Sequence, residues 1–206
     1  MPDLRAVLFD LDGVLVESQE AWFRLVNAAA RHFCKPDVSR ARFDAGWGQG
    51  IEADLREFFP GCAAGDLERF YAAHLLDFDA HMHVQPGARD ALCQLRDAAL
   101  LRGVVTNTPT PLARDILAWA GLIGLVDVTT GAAPELASKP APDIILRACR
   151  ELEVDPRQAL VVGDSRFDAE AAAAARARFL GFRTPGGPAL RELAELPERL
   201  GVHSRR

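Results

Sequence analysis

The sequence predicts an α/β protein with a parallel sheet and a helical unit inserted after the first strand. Short apolar runs that end in polar residues alternate with stretches of helical periodicity, a pattern typical of parallel sheets with right-handed crossovers. Residues 15–83 break this alternation, because they have helical spacing and no convincing strand. We therefore expect a three-layer, Rossmann-like core formed by residues 1–14 and 84–206, and a small all-helical cap formed by residues 15–83.

Five apolar runs supply the predicted strands of the core, since a continuous apolar run indicates a strand that is buried on both faces. These runs are residues 5–9, 102–107, 125–131, 159–165 and 177–182. Helical stretches lie among them at residues 87–99, 111–120, 141–152 and 167–176. Leucines at helical spacing in the C-terminal stretch, Pro185 to Arg206, predict one more packed amphipathic helix.

Two of the predicted core helices end without a glycine. Ala99 stands before Leu100 and Arg176 before Ala177, whereas a glycine usually takes the left-handed position that stops a helix. Either these turns use another geometry, or each residue costs about 1 kcal/mol in a left-handed conformation.

The cap segment contains aromatic and aliphatic residues at helical spacing, beginning with Trp22 and Leu25. Within it, three glycines surround Trp47 in residues 46–50 and predict a flexible loop. Trp47 and Gln49 lie where the cap could approach a ligand site in the core. A packed loop on the cap surface explains them equally well.

Composition and charge limit the classes of partner. Of the 206 residues, 49% are hydrophobic and 26% are charged, as in ordinary globular proteins. The net charge of −5 argues against nucleic acid but permits a small anionic substrate. No apolar run is long enough to span a bilayer, and the N-terminal residues do not resemble a secretion signal. We expect a cytoplasmic monomer or homodimer with no membrane partner.

Polar residues follow or approach the ends of the predicted strands. In an open parallel sheet, ligands bind at the carboxyl ends of the strands, near a switch in strand order. Each cluster has a plain structural explanation as well: an acidic turn can be a solvated loop, and a threonine–asparagine pair can cap a helix. The clusters are, in chain order, Asp10 and Asp12, Thr106 and Asn107, Lys139, and Asp164 and Asp168.

The charges of these clusters predict a divalent cation. Four ionised carboxylates bring −4 and Lys139 returns +1, so an incoming anionic ligand would be repelled without a metal ion. An oxygen-lined site suits Mg²⁺, which can bridge a carboxylate to a phosphate. Crowding of this kind raises the pKa of one carboxyl group. Lys139 could be a surface lysine, but the chain has only one other, Lys35.

The four segments FDLDGVLVES, VVTN, SKPAPD and GDSRFD resemble, in this order, the four motifs of the haloacid dehalogenase-like hydrolase superfamily. The resemblance extends over nearly the whole chain. The position of the helical insertion is similar to that of the phosphoglycolate phosphatase and β-phosphoglucomutase-like subgroup. The loop DAGWGQG does not clearly match the cap signature of either enzyme.

The resemblance implies a role for each clustered residue. Asp10 matches the nucleophile, which also binds the metal, and Asp12 matches the acid and base, which offers its backbone carbonyl to the metal. Because an acid role requires a raised pKa, we expect Asp12 to be the carboxyl group whose pKa is raised by crowding. Lys139 matches the lysine that steadies the phosphate and the nucleophile. The remaining matches are to phosphate binders for Thr106 and the backbone N–H of Asn107, to a direct metal ligand for Asp164, and to a ligand or a holder of a metal-bound water for Asp168.

The function implied is a Mg²⁺-dependent phosphatase that hydrolyses a small phosphorylated metabolite through an aspartyl-phosphate. Phosphoglycolate-like acids are the first candidates, by analogy only. A β-phosphoglucomutase-like sugar phosphomutase remains an alternative, because it would use the same intermediate. An alternative of another class is a non-catalytic phosphate-binding or scaffold protein. The presence of Asp12 disfavours a dehalogenase or a phosphonatase, which would not keep this residue.

Overall fold

The computed structural model describes residues 3–184 and 189–202. Within these residues the strands are β1 (Ala6–Phe9), β2 (Val16–Glu17), β3 (His83–Val84), β4 (Leu101–Pro109), β5 (Val128–Ala132), β6 (Ala159–Gly163), β7 (Arg178–Phe182) and β8 (Ala189–Leu190). The α-helices are α1 (Gln19–His32), α2 (Arg40–Gly46), α3 (Ile51–Glu57), α4 (Ala64–His74), α5 (Ala88–Asp97), α6 (Thr110–Trp119), α7 (Asp143–Glu151), α8 (Arg166–Ala175) and α9 (Leu196–Arg199). Short 3₁₀ helices occupy Leu75–His81, Ile123–Leu125, Pro156–Gln158 and Leu193–Glu195.

Six of the strands form one parallel sheet in the order β5–β4–β1–β6–β7–β8. The chain builds outward from β1 through β4 and β5, and then returns to the other side of β1 to form β6, β7 and β8. The strand order therefore switches beside β1, which is where parallel α/β sheets bind ligands. The carboxyl ends of β1, β4 and β6 meet at this point.

Side chains that alternate along β1 build the two faces of the sheet. Val7 and Phe9 belong to one buried cluster, which includes residues of α5 and α6. Ala6 and Leu8 belong to a second cluster, which includes residues of α7 and α8. Every residue of β1 is buried because helices cover both faces. The predicted three-layer α/β core is thus confirmed.

The cap is the set of helices between β2 and β3, namely α1 to α4 and the 3₁₀ helix that follows α4. Its helices pack through aromatic contacts, for example those that Phe59 makes with Phe33 and Tyr71. The two connections to the core pair as antiparallel strands, with Val16 opposite Val84. The helical insertion after the first strand is as predicted, whereas boundaries at residues 15 and 83 stay a prediction.

The C-terminal stretch differs from the single amphipathic helix that we expected. Its described part forms β8, a 3₁₀ turn and the four-residue helix α9. The leucines at positions 190, 193 and 196 are nevertheless buried. Pro197 stands at the start of α9, and because proline lacks an N–H it cannot sit inside a helix that continues from Leu193. Residues 185–188 and 203–206 of the stretch lie outside the described residues.

The two helix ends without glycine use the left-handed conformation. Ala99 has a φ of 58° and Arg176 a φ of 61°. The second of the two alternatives therefore holds, and each residue costs about 1 kcal/mol relative to a glycine.

Candidate active site

The first side chain of the site is Asp10, which follows β1 directly. Its Oδ1 accepts a hydrogen bond from the Leu11 backbone N–H at 2.8 Å. The chain then turns sharply at Gly13, which has a φ of +87°. A Cβ atom at Gly13 would lie 2.1 Å from Oδ2 of Asp164. The turn after β1 therefore requires glycine at this position for two reasons. Its backbone angle is left-handed, and a side chain there would collide with Asp164, which follows β6.

Lys139 lies in the loop before α7 and forms ion pairs with carboxylates from two of the predicted clusters. Its Nζ lies 2.9 Å from Oδ1 of Asp10 and 2.6 Å from Oδ1 of Asp168, and it donates to the Val105 carbonyl at 3.1 Å. The lysine side chain is only 2% exposed, so it is not a surface lysine. Burial lowers the pKa of Lys139, but Asp10 and Asp168 outweigh this effect and keep the pKa above its ordinary value. The ammonium group thus stays charged.

Three carboxylates form a compact acidic cluster around this lysine. Oxygens of Asp10, Asp164 and Asp168 all lie within 4.8 Å of one another. Burial and repulsion from Asp168 raise the pKa of Asp10 well above its ordinary value, although Lys139 opposes the shift. Burial and Asp168 likewise raise the pKa of Asp164 to about 7. The crowding of carboxylates thus raises the pKa of two carboxyl groups of the cluster.

This cluster fits a magnesium ion. Its donors are carboxylate oxygens, which Mg²⁺ prefers, and their mutual repulsion is the cost that a bound divalent cation would remove. Asp168 is fully buried and lies in the first turn of α8, where it forms a capping box with Ser165. One of its oxygens contacts Lys139 and the other contacts Ser165. Asp168 therefore lies where it could bind the ion or fix the residues around it.

The carboxylate of Asp12 is outside the acidic cluster and has its own set of donors. Its Oδ1 accepts hydrogen bonds from Ser18 Oγ at 2.6 Å and from Trp22 Nε1 at 2.8 Å. Its Oδ2 accepts one from Thr108 Oγ1 at 2.7 Å. We did not predict the contacts of these three residues. Ser18 and Thr108 lie within or beside the quoted motifs, but Trp22 looks like any other aromatic residue of a packed helix.

Thr106 and Asn107 lie near the end of β4, several residues before the next helix starts at Thr110. They therefore do not cap that helix, and the alternative explanation fails. Asn107 instead ties three segments together: its Oδ1 accepts from the Lys139 backbone N–H at 2.7 Å, and its Nδ2 donates to the Gly48 carbonyl at 2.8 Å. The cap loop predicted around Trp47 thus lies against the core.

The groups described above line a cleft between the core and the cap. The core side contributes all the clustered residues except Asp168. The cap side contributes mainly aromatic and apolar side chains together with one acid. The cap residues that line the cleft are Trp22, Phe43, Gly46, Trp47, Gly48, Gly50, Ile51 and Asp54.

The acid on the cap side, Asp54, is a residue that we did not predict. Tyr71 donates to its Oδ2 at 3.0 Å. Burial raises the pKa of Asp54 to about 7, and the nearby Glu57 adds to the shift, whereas the Tyr71 hydrogen bond opposes it. No motif marks Asp54, because an acidic residue near the start of a helix is common.

Comparison with known proteins agrees with this geometry. Residues 4–176 match the family model described as haloacid dehalogenase-like hydrolase. A phosphoglycolate phosphatase of Cupriavidus necator is 31% identical over 196 residues, which cover 89% of this chain and 84% of that protein. A validoxylamine A 7′-phosphate phosphatase of Streptomyces hygroscopicus is 35% identical over 168 residues, which cover 78% and 77%.

The fold also has close counterparts among solved structures. CbbY from Rhodobacter sphaeroides, solved in complex with phosphate, superposes with a TM-score of 0.80 and 25% identity, over 94% of this chain and 96% of that one.

Among the described residues, no helix is both long enough and apolar enough to cross a membrane.

Proposed function

The chain belongs to the haloacid dehalogenase-like hydrolases, and from that premise we propose that it hydrolyses a small phosphate ester through a phosphorylated Asp10. The observation that supports this proposal most strongly is the contact of Lys139 with Asp10 and Asp168, next to Asp164. A buried lysine among buried carboxylates costs folding free energy. A bound anionic substrate would be attracted by the lysine, and a bound cation would be attracted by the carboxylates.

In the proposed first step, an oxygen of Asp10 attacks phosphorus. The bond between phosphorus and the ester oxygen breaks, and the departing oxygen takes a proton from Asp12. Lys139 keeps the Asp10 carboxylate in place and balances charge on the transferring phosphoryl group. Thr106 and the backbone N–H of Asn107 hold the phosphate oxygens.

In the second step, a water molecule attacks the phosphorus of phosphorylated Asp10. A proton of the water passes to Asp12, the bond between phosphorus and the Asp10 oxygen breaks, and inorganic phosphate is released. Asp12 can serve both steps because Ser18, Trp22 and Thr108 hold its carboxylate in one place.

Asp10, Asp164 and the backbone carbonyl of Asp12 would hold Mg²⁺, with Asp168 as a ligand or as a partner of a bound water. The ion, when bound, would neutralise the charge that gathers on the phosphate and on the acidic cluster.

The names of the relatives support a small phosphorylated metabolite as the substrate. Phosphoglycolate is one ester to assay, because the relative from Cupriavidus necator is a phosphoglycolate phosphatase. A phosphorylated aminocyclitol derivative is another, because the relative from Streptomyces hygroscopicus is a validoxylamine A 7′-phosphate phosphatase. We further propose a cytoplasmic monomer or homodimer.

The experiment that tests this function is phosphate release from a panel of small phosphate esters, with Mg²⁺ and with a chelator. We expect metal-dependent release that Asp10→Asn abolishes. Asp90→Asn is the matched control, because Asp90 is an exposed residue of α5 that does not line the cleft. Isomerisation of a sugar phosphate without net phosphate release would favour a mutase. An inactive wild type would contradict both enzymes and favour a non-catalytic role.

A further inference from the structure

The two sides of the cleft differ in charge. Among the described residues that line it, the single basic side chain is Lys139, and both Asp10 and Asp168 already contact its ammonium group. On the cap side the one charged side chain is Asp54. A leaving group with a carboxylate or a second phosphate would therefore meet an acid there and no free cation.

Cap arginines do not supply the missing charge. Arg24 pairs with Glu20, and Arg42 donates to the Glu57 carbonyl and stacks over Phe58. Neither of them lines the cleft. The basic side chains among the described cap residues are thus absent from the lining of the cleft, and the cap side of that lining is acidic and aromatic.

The position of Asp54 is fixed from behind. Tyr71 is fully buried and donates to one oxygen of Asp54, and Trp22 packs edge-to-face against Tyr71 with ring centroids 5.5 Å apart. Among the described residues, Tyr71 is the only hydrogen-bond donor to this carboxylate. Because the Asp54 side chain lines the cleft, its remaining acceptor capacity is available to a bound molecule.

Resting on the proposed function, we propose that Asp54 selects the leaving group of the substrate by accepting a hydrogen bond from a hydroxyl or ammonium group. The enzyme then prefers phosphate esters of polyols, sugars or amino alcohols to esters that have a second anionic group. A carboxylate on the leaving group has no hydrogen to donate, and the ionised form of Asp54 repels it more strongly in a partly desolvated cleft than in water. Trp22 and Trp47 add apolar faces for the carbon skeleton.

Two pairs of esters test this proposal, since the members of each pair differ only at the far end of the leaving group. The short pair is 2-hydroxyethyl phosphate and phosphoglycolate, and the long pair is sorbitol 6-phosphate and 6-phosphogluconate. We expect kcat/KM of the wild type to favour the hydroxyl member by about tenfold or more in the pair that reaches Asp54. In Asp54→Asn, this preference falls to within about threefold.

Glu52→Gln is the matched control, because Glu52 is an exposed acid of the same helix that does not line the cleft, and it should leave every ratio unchanged. Equal or better use of the carboxylate member in both pairs by the wild type would overturn the proposal. So would a preference that survives in Asp54→Asn. If the wild type does not hydrolyse even ethyl phosphate or the hydroxyl esters, the phosphatase function itself fails and the proposal fails with it.

Discussion

The core wall and the cap wall of the cleft are built in different ways. On the core wall, functional side chains follow parallel strands or the loops tied to them, and Lys139 and Asn107 bind these segments to one another. On the cap wall, Trp22 and Asp54 project from separate helices and are held by Tyr71. The sheet thus fixes the groups for phosphoryl transfer, whereas the cap provides a wall whose chemistry can change without disturbing them.

The largest effect that this comparison predicts is at Lys139, the charge at the centre of the core wall. Lys139→Met removes the cation that contacts Asp10 and Asp168, and we expect kcat/KM for phosphate esters to fall by about 1000-fold. Steady-state kinetics would measure the loss. Lys35→Met is the control, because the Lys35 ammonium group donates to the Pro60 carbonyl in the cap and does not line the cleft. A Lys139→Met enzyme that is folded and within about tenfold of the wild type would break the account of the core wall.

The next effect is at Gly13, where the core wall depends on close packing. Gly13→Ala would bring a methyl group into Asp164, and we expect the apparent affinity for Mg²⁺ to fall by about 100-fold as the ligand is displaced. Titration of activity against Mg²⁺ gives this value. Gly61→Ala has a similar left-handed backbone strain, with a φ of +84° and no atom within 4 Å of the added carbon. Equal Mg²⁺ affinity in both variants would show that Gly13 is needed only for its left-handed backbone conformation and not to leave room for Asp164.

A third prediction concerns the contact that joins the two walls. Trp22→Phe keeps an aromatic ring but removes the hydrogen bond to Asp12, so Asp12 is less well placed as acid and base. A hydrogen bond to a charged group is worth about 1.5–3 kcal/mol, so we expect kcat to fall by about tenfold or more, with KM nearly unchanged. Trp119→Phe, at the end of α6 and away from the cleft, should have no such effect. A rise in KM with unchanged kcat would instead show that Trp22 contributes to substrate binding and not to the placement of Asp12.

The smallest effect is a pH dependence of stability that belongs to the cap wall. The pKa of Asp54 is about 7 in the folded protein, above its ordinary value of about 4. Folding therefore favours the protonated form of Asp54. The contribution of this group to the free energy of unfolding is fully present at low pH and is lost as the pH rises from about 4 to about 7. After allowance for solvent screening, we expect the free energy of unfolding of the wild type to fall by about 2 kcal/mol relative to Asp54→Asn across this range.

Urea unfolding of both proteins at several pH values measures this difference, because other titrating groups contribute equally to each. Parallel pH profiles of the wild type and Asp54→Asn would mean that the Asp54 carboxyl is as well solvated in the folded chain as in the unfolded one.

The same difference between the walls explains what could be predicted from the sequence. Asp10, Asp12 and Asp164 follow apolar runs, and in a parallel sheet such strand ends meet at one edge, so their proximity could be inferred from local pattern. Trp22 and Asp54 stand on helices, where the direction of a side chain depends on how the cap packs against the core. The hydrophobic spacing that predicts the helix around Trp22 is the same for a residue in a core and for one that holds a carboxylate.

The C-terminal stretch illustrates a second limit. Its leucines correctly indicate burial, but the pattern alone does not distinguish a continuous helix from a strand, a turn and a short helix, each of which buries one or two of them. The proline at position 197 was the local signal against a long helix.

The central claim is that the core wall transfers the phosphoryl group through Asp10, whatever the cap selects. The most direct measurement is mass spectrometry of the peptide that contains Asp10, after the enzyme has been mixed with Mg²⁺ and its best ester and quenched in acid within the first turnover. The account predicts that this peptide gains the mass of one phosphoryl group in the wild type and does not gain it in Asp10→Asn. Phosphate release by the wild type with no phosphorylated peptide at any time point, in a reaction that Asp10→Asn still performs, would contradict it.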